Sequence, residues 1–302
     1  MSHQNASVKS ILFALLANLG IAITKTVAAV LTGSGSMLAE SIHSYADCGN
    51  QGLLFLGLKK SKKAPEEEHP LGHGKEIYFW SFIVALMLFS MGGLFSIYEG
   101  IHKLSSHEGL KSPIIAVVVL VISMVLEAAS LYGCISQINK IRQDMSLWQW
   151  LKNTRQSELV VVLGEDVAAL FGLFFALIAV VLAMITGNPA WDAVGSIGIG
   201  TLLILVSVFL AVKVKGLLVG QSADKATRDE IQKYLQSRSE VDEVLNVITM
   251  QMGENIMVSI KARMVKTDTA ESLVRNINSC EAGLKASNKA IQWVFFEPDV
   301  EK

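Results

Sequence analysis

The chain has 302 residues, of which 51% are hydrophobic and 18% charged, and its net charge is −1. This apolar composition indicates a membrane protein with an additional soluble part. The near-neutral charge gives no basis for nucleic-acid binding. The three cysteines, Cys48, Cys134 and Cys280, are widely scattered, so neither a disulfide framework nor a cysteine metal site is expected.

Six apolar stretches are long enough to cross a bilayer as helices. They are Ile11–Leu31, Met37–Leu58, Ile77–Ile101, Pro113–Ile135, Leu159–Thr186 and Trp191–Val212. Basic residues follow the second, fourth and sixth of these spans: Lys59, Lys60, Lys62 and Lys63, then Lys140, Arg142, Lys152 and Arg155, then Lys213 and Lys215. Because positive charge marks the cytoplasmic side of a membrane protein, we expect both termini in the cytoplasm.

The second span carries a stripe of polar side chains. Glu40, His43, Asp47 and Asn50 are separated by three, four and three residues, which places all four on one face of a helix. Ionisable groups at membrane depth are costly and usually functional. His43 and Asp47 lie one turn apart, so the spacing predicts that they bind one ion together.

The fifth span contains two adjacent acids, Glu165 and Asp166. One interpretation is that Asp166 faces His43 and Asp47 and supplies a third ligand. The other is a buried structural pair with Lys25 of the first span. Adjacent residues point about 100° apart on a helix, so we expect only one of the two acids to face the site.

Glu127 is the acid of the fourth span. The sequence leaves three roles open for it: an outer metal ligand, a proton carrier, or a polar contact between helices.

The loop after the second span combines three acids, Glu66 to Glu68, with His69 and His73. Pro70, Gly72 and Gly74 indicate a loop rather than a helix. One interpretation is that the two histidines and one of the acids form a second metal site. The other is that the segment is a solvated charged loop with two ordinary histidines.

Beyond about Gly220 the composition changes to that of a small soluble domain. The periodicities predict a helix over Ala226–Ser237, strands over Val241–Met252 and Asn255–Val265, a helix opened by an Asp268/Glu271 capping box, and a strand over Ile291–Glu297. The order αββαβ is typical of a ferredoxin-like α+β sandwich. We expect a transmembrane domain of residues 1–216 and a cytoplasmic domain of residues 217–302, which is small enough that dimerisation would help its stability.

Taken together, several motifs resemble those of the cation diffusion facilitator family. They are the SGS turn, MLAESIHSYAD in the second span, the HPLGHGK loop, and the polar fifth span before an α+β domain. The LGED segment and the KKSKKAPEEEHPLGHGK loop are most similar to the branch that includes the vertebrate mitochondrial zinc transporter. The resemblance implies a transporter, not an enzyme, that exports divalent metal ions, usually Zn²⁺, in exchange for H⁺ as a homodimer.

The resemblance also implies a set of ligands. The family's transport site uses two residues four apart on the second span and two on the fifth, which are here His43 with Asp47 and the positions of Val162 and Asp166. Valine does not bind metal, so either the fourth ligand is Glu165, Glu127, Asn50 or water, or the site is three-coordinate. One imidazole with carboxylates suits Zn²⁺ and also Mn²⁺, Fe²⁺ or Co²⁺. His69 and His73, with Glu66, match the family's loop site.

The function expected from these observations is metal efflux by proton antiport with alternating access, in a bacterial inner membrane. The alternative is a membrane metal sensor or scaffold without proton-coupled flux. An intramembrane enzyme is disfavoured, since the spans contain neither a Ser/His/Asp set nor an HExxH motif.

Overall fold

The computed structural model describes residues 18–106, 112–142 and 144–301. Residues 11–17, the start of the first predicted span, lie outside them. The helices before the C-terminal domain are α1 (Asn18–Thr32), α2 (Gly35–Ser61), α3 (Glu76–Met87), a π-helical segment (Leu88–Leu94), α4 (Phe95–Ser106), α5 (Pro113–Ile141), α6 (Leu147–Asn153), α7 (Ser157–Thr186) and α8 (Ala190–Val219). The short helix α6 was not predicted from the sequence.

Four helices in the described part of the chain are long and apolar enough to cross a membrane. They are the continuous helix Glu76–Ser105, which runs from α3 through the π-helical segment into α4, and the helices α5, α7 and α8. The described part of α1 is a shorter apolar helix, and α2 has 27 residues but contains several ionisable side chains. The multi-pass architecture is therefore confirmed, and four of the six predicted spans are supported by length and composition.

The N-terminus of α2 is held by Asp192 at the start of α8. The buried Asp192 carboxylate accepts hydrogen bonds from the Ser34 hydroxyl at 2.7 Å, the Gly35 amide at 2.6 Å and the Ser36 amide at 3.3 Å. A carboxylate at this position satisfies free amide groups and complements the positive end of the helix dipole. Asp192 therefore fixes where α2, with its polar stripe, begins.

The C-terminal part has the predicted order of elements: α9 (Lys225–Gln236), β1 (Val241–Met252), β2 (Asn255–Met264), α10 (Ala270–Ser287) and β3 (Ile291–Pro298). The strands form one sheet in the order β1-β2-β3, with β1 antiparallel and β3 parallel to β2. The turn between β1 and β2 contains Gly253 at φ +68°, a conformation that glycine adopts without strain.

The predicted alternation of β2 is confirmed. Val258, Ile260 and Ala262 are fully buried, while Ser259 and Lys261 between them are only partly covered. The buried side chains pack against α9 and α10 through Ile231, Leu235 and Leu284, among others. One predicted detail is wrong: α10 is capped by Thr269, whose hydroxyl accepts from the Ser272 amide at 3.1 Å, and not by Asp268.

The chain divides into two compact units. Unit 1 comprises residues 1–56, 80–144 and 158–214, and unit 2 comprises residues 57–79, 145–157 and 215–302. The loop with His69 and His73, and helix α6, thus group with the C-terminal domain. Within unit 2, Arg155 after α6 donates a hydrogen bond of 2.8 Å to the Ser222 carbonyl.

Candidate functional site

A small polar cavity lies inside unit 1, with a volume of about 30 Å³. Its walls come from α1, α2, α5 and α7: Asn18, Ile21, Ser44, Asp47, Gln51, Glu127, Ser130, Val162, Glu165, Asp166 and Ala169. Four of these side chains are carboxylic acids. In a protein interior, so many acids around one small space call for protons or a cation to balance their charge.

Of the four side chains in the polar stripe on α2, one lines this cavity, and His43 is not among its wall residues. Asp47 lines the cavity, and the His43 Nε2 atom lies 3.6 Å from the Asp47 Oδ2 atom. His43 is fully buried, and among the described residues neither of its ring nitrogens has a hydrogen-bond partner. Its ring faces the π-helical segment, where a side chain on Gly92 would come within 3.8 Å of Nδ1.

Both acids of α7 line the cavity, contrary to the expectation that only one would. Asp166 accepts hydrogen bonds from the Ser130 hydroxyl of α5 at 3.3 and 3.4 Å. Glu165 is buried and accepts from the Asn50 side-chain amide of α2 at 2.5 Å. Glutamate has one more methylene group than aspartate, so the two neighbours reach the same space from different directions.

Glu127 of α5 also lines the cavity, and the Val162 side chain of α7 forms an apolar part of its wall. The side chains share the cavity without forming a closed coordination shell. Within the described ranges, no three side chains among His43 and the cavity's Asp and Glu residues bring their ligand atoms within 4.8 Å of one another.

Lys25 does not pair with the acids of α7. Its ammonium group, fully buried, lies 3.2 Å from the Glu40 Oε2 atom and donates to the Ser44 hydroxyl at 2.8 Å. Sequence reasoning also missed Ser130 and Gln51 as wall residues. Their spacing was the available signal, since Ser130 follows Glu127 by three residues and Gln51 follows Asp47 by four.

A second cluster lies in the loop of unit 2. The Glu66 Oε1 atom is 3.2 Å from His69 Nδ1 and 2.9 Å from His73 Nε2, and the two imidazole rings are 4.3 Å apart. The hydrogen bond from His73 lowers the pKa of the Glu66 carboxyl below its ordinary value. Backbone hydrogen bonds in both directions between Glu66 and His69 close the loop on itself. These three side chains have their ligand atoms within 4.8 Å, close enough to hold one metal ion.

The fold and the cavity together define a class: a multi-pass membrane protein with carboxylates buried between its helices and a small C-terminal α+β part. The sequence profile of the family described as "Cation efflux transmembrane domain" matches residues 11–219. The chain therefore belongs to the cation efflux family, as the resemblance predicted.

Among curated relatives, the chain is 35% identical over 231 residues to the human protein named "Proton-coupled zinc antiporter SLC30A9, mitochondrial", covering 76% of this chain and 41% of that protein. It is 33% identical over 224 residues to "Metal tolerance protein C4" of Arabidopsis thaliana, covering 74% of this chain and 49% of that one. The "Magnetosome protein MamB" of Magnetospira is 24% identical over 272 residues, covering 87% of each. The chain thus spans less than half the length of the first two relatives.

Proposed function

We propose that this protein exports a divalent metal cation, with Zn²⁺ as the first candidate, in exchange for H⁺. The observation that carries the proposal is the placement of Asp47, Glu127, Glu165 and Asp166 around one cavity in the membrane domain. The names of the human and plant relatives, a zinc antiporter and a metal tolerance protein, support this choice.

In this proposal His43, Asp47 and Asp166 bind the transported ion, and Glu165 is the fourth ligand in place of Val162. Glu127 is an outer ligand or a proton carrier at the same cavity. One imidazole with carboxylate oxygens suits Zn²⁺, and it also accepts Mn²⁺, Fe²⁺ or Co²⁺. Binding then requires that α2 and α7 draw these ligand atoms closer together than they are in this conformation.

Proton coupling follows from the chemistry of the ligands. Carboxylates and imidazole bind metal only when they are deprotonated, so protons and the metal ion compete for the same lone pairs. His43 contributes most to this competition because an imidazole changes its charge near neutral pH. Alternating access exposes the loaded site to one side of the membrane and the protonated site to the other.

The wider architecture is part of the proposal. It comprises six spans within residues 1–216, a dimerisation domain of residues 217–302, and a homodimer in a bacterial inner membrane with both termini cytoplasmic. The basic residues after the second, fourth and sixth spans support this orientation. The loop cluster of Glu66, His69 and His73 is proposed as a second metal site on the cytoplasmic side.

Flux measurements in proteoliposomes test the transport function. With an imposed pH gradient and a trapped Zn²⁺ indicator, we expect Asp47→Ala and Asp166→Ala to lose metal flux. Glu99→Ala is the matched control, since Glu99 is a partly buried acid of α4 that does not line the cavity. Normal Zn²⁺ flux in either cavity variant would refute the ligand assignment.

The alternative is a membrane metal sensor, which the cluster in the loop of unit 2 favours. A sensor would bind Zn²⁺ without moving it. Zn²⁺ binding to the reconstituted protein with no flux under any pH gradient would select the sensor.

A further inference from the structure

The buried ammonium group of Lys25 lies at one end of the polar stripe. Asn18, Ile21 and Lys25 follow one another at spacings of three and four along α1, so they share a face. Asn18 and Ile21 line the cavity, and Lys25 contacts the cavity-lining Ser44 through a hydrogen bond of 2.8 Å. The Lys25 ammonium group therefore lies directly behind the Ser44 side chain in the cavity wall.

Glu40 is the partner of this charge. It is fully buried on the same stripe as His43, and its Oε2 atom is 3.2 Å from the Lys25 ammonium. Among the described residues its other oxygen, Oε1, has no hydrogen-bond partner. That oxygen lies against Gly172 of α7, where a side chain would collide with it. The helices thus leave space for the Glu40 carboxylate, and among the described residues Lys25 forms its ion pair.

The Glu40 carboxylate is a candidate metal ligand by its chemistry and by its place on the stripe. It precedes His43 by three residues, on the same helical face, as Asp47 follows His43 by four. A buried carboxylate with no cation nearby is strongly destabilised, so it takes up a proton or a metal ion. The Lys25 ammonium group balances the charge of the Glu40 carboxylate, which then needs neither a proton nor a metal ion.

We propose that Lys25 is a tethered cation that occupies the Glu40 end of the stripe and so restricts the transport site to one metal ion at the Asp47 end. This inference rests on the proposed function, since it assumes that a metal ion binds at Asp47. Lys25 is a residue that determines stoichiometry and does not itself touch the transported ion.

The experiment counts Zn²⁺ bound to the full-length protein in detergent at neutral pH. All variants carry His69→Ala and His73→Ala, so that the loop cluster contributes nothing. Lys25→Met is expected to bind one more Zn²⁺ per chain than the parent. Lys25→Met with Glu40→Gln, and Lys25→Arg alone, are expected to return to the parent's value, because the first removes the freed carboxylate and the second keeps a cation. An unchanged count in a folded Lys25→Met would overturn the inference.

Asp47→Ala in the same background separates this inference from the proposed function. If it removes one Zn²⁺ while Lys25→Met adds none, the transport site stands and the role of Lys25 is wrong. If Asp47→Ala removes no Zn²⁺, the ligand assignment itself fails, and the inference fails with it.

Should Lys25→Met not fold, Glu40→Gln decides the question. This change leaves the ammonium group unbalanced beside Ser44, where it repels an ion at Asp47, so the affinity for Zn²⁺ should fall at least tenfold. An affinity equal to that of the parent would contradict the tethered-cation role.

Discussion

Asn50 on α2 donates a hydrogen bond of 2.5 Å to Glu165 on α7, and both side chains are buried. The bond joins the helix that carries His43 and Asp47 to the helix that carries Asp166. It therefore links the two halves of the candidate metal site directly.

We predict that Asn50→Leu destabilises the protein by about 1–3 kcal/mol, because a buried carboxylate loses its donor. Thermal unfolding in detergent measures this. Gln51→Leu is the matched control, as it removes the neighbouring amide, which lines the cavity but is not bonded to Glu165. Equal unfolding temperatures for the two variants would show that the bond to Glu165 adds no stability.

A substitution at Gly172 on α7 tests whether the Glu40 carboxylate lies against this helix. A methyl group there would collide with the Glu40 Oε1 atom. Because the Glu40 side chain is fully buried and paired with Lys25, it has little room to move away, and Gly172→Ala should cost about 1–3 kcal/mol by overpacking. Gly198→Ala on α8 meets no atom within 4 Å and should stabilise its helix by about 0.5–1 kcal/mol, because alanine loses less backbone entropy. Thermal unfolding compares the two. A stabilising effect of Gly172→Ala would mean that the Glu40 carboxylate does not lie against α7.

The loop cluster should bind metal independently of transport. We expect Glu66→Gln combined with His73→Ala to lower the amount of bound Zn²⁺ by one ion per chain, because two of three ligands are lost. Glu67→Gln, which changes the neighbouring exposed acid, should leave the amount unchanged.

Zn²⁺ flux in proteoliposomes completes this test. Flux should persist in the Glu66→Gln, His73→Ala variant, since the cavity residues are intact. A loss as complete as that of Asp47→Ala would place the loop on the transport path.

The C-terminal domain should lose stability in acid through Asp299. Its carboxylate is 2.5 Å from the Lys261 ammonium, and the hydrogen bond from Lys261, together with the amides of Val300 and Glu301, lowers the pKa of Asp299 to about 2. The folded state thus holds the charged form more strongly than the unfolded state does. The resulting stabilisation is complete above about pH 4 and is lost as the pH falls through about 2.

Asp299→Asn should therefore be less stable than the parent at pH 6, and the difference should shrink as the pH falls from about 4 to 2. Denaturant unfolding of the full chain measures it, followed by the fluorescence of Trp293 on β3 after the other four tryptophans are replaced by Phe. Asp229→Asn on α9 is a surface control. A difference that grows on acidification would contradict the assignment.

The sequence alone predicted the features that depend on periodicity and chain length. The alternation of β2, the order αββαβ, four apolar spans and the shared face of Glu40, His43 and Asp47 are of this kind. Each follows from which residues face the same way on one helix or strand, and this geometry is fixed by the repeat of the element itself.

Only the tertiary structure decided which faces meet. In the folded protein Lys25 forms its ion pair with Glu40 and not with the acids of α7. Glu165 and Asp166 line the same cavity although they are adjacent in the chain. The Asp192 carboxylate, far away in sequence, accepts the hydrogen bond from Ser34 at the start of α2. Periodicity cannot supply these pairings, because they depend on the rotation of each helix about its own axis and on how far each side chain reaches, and packing against the neighbouring helices sets both.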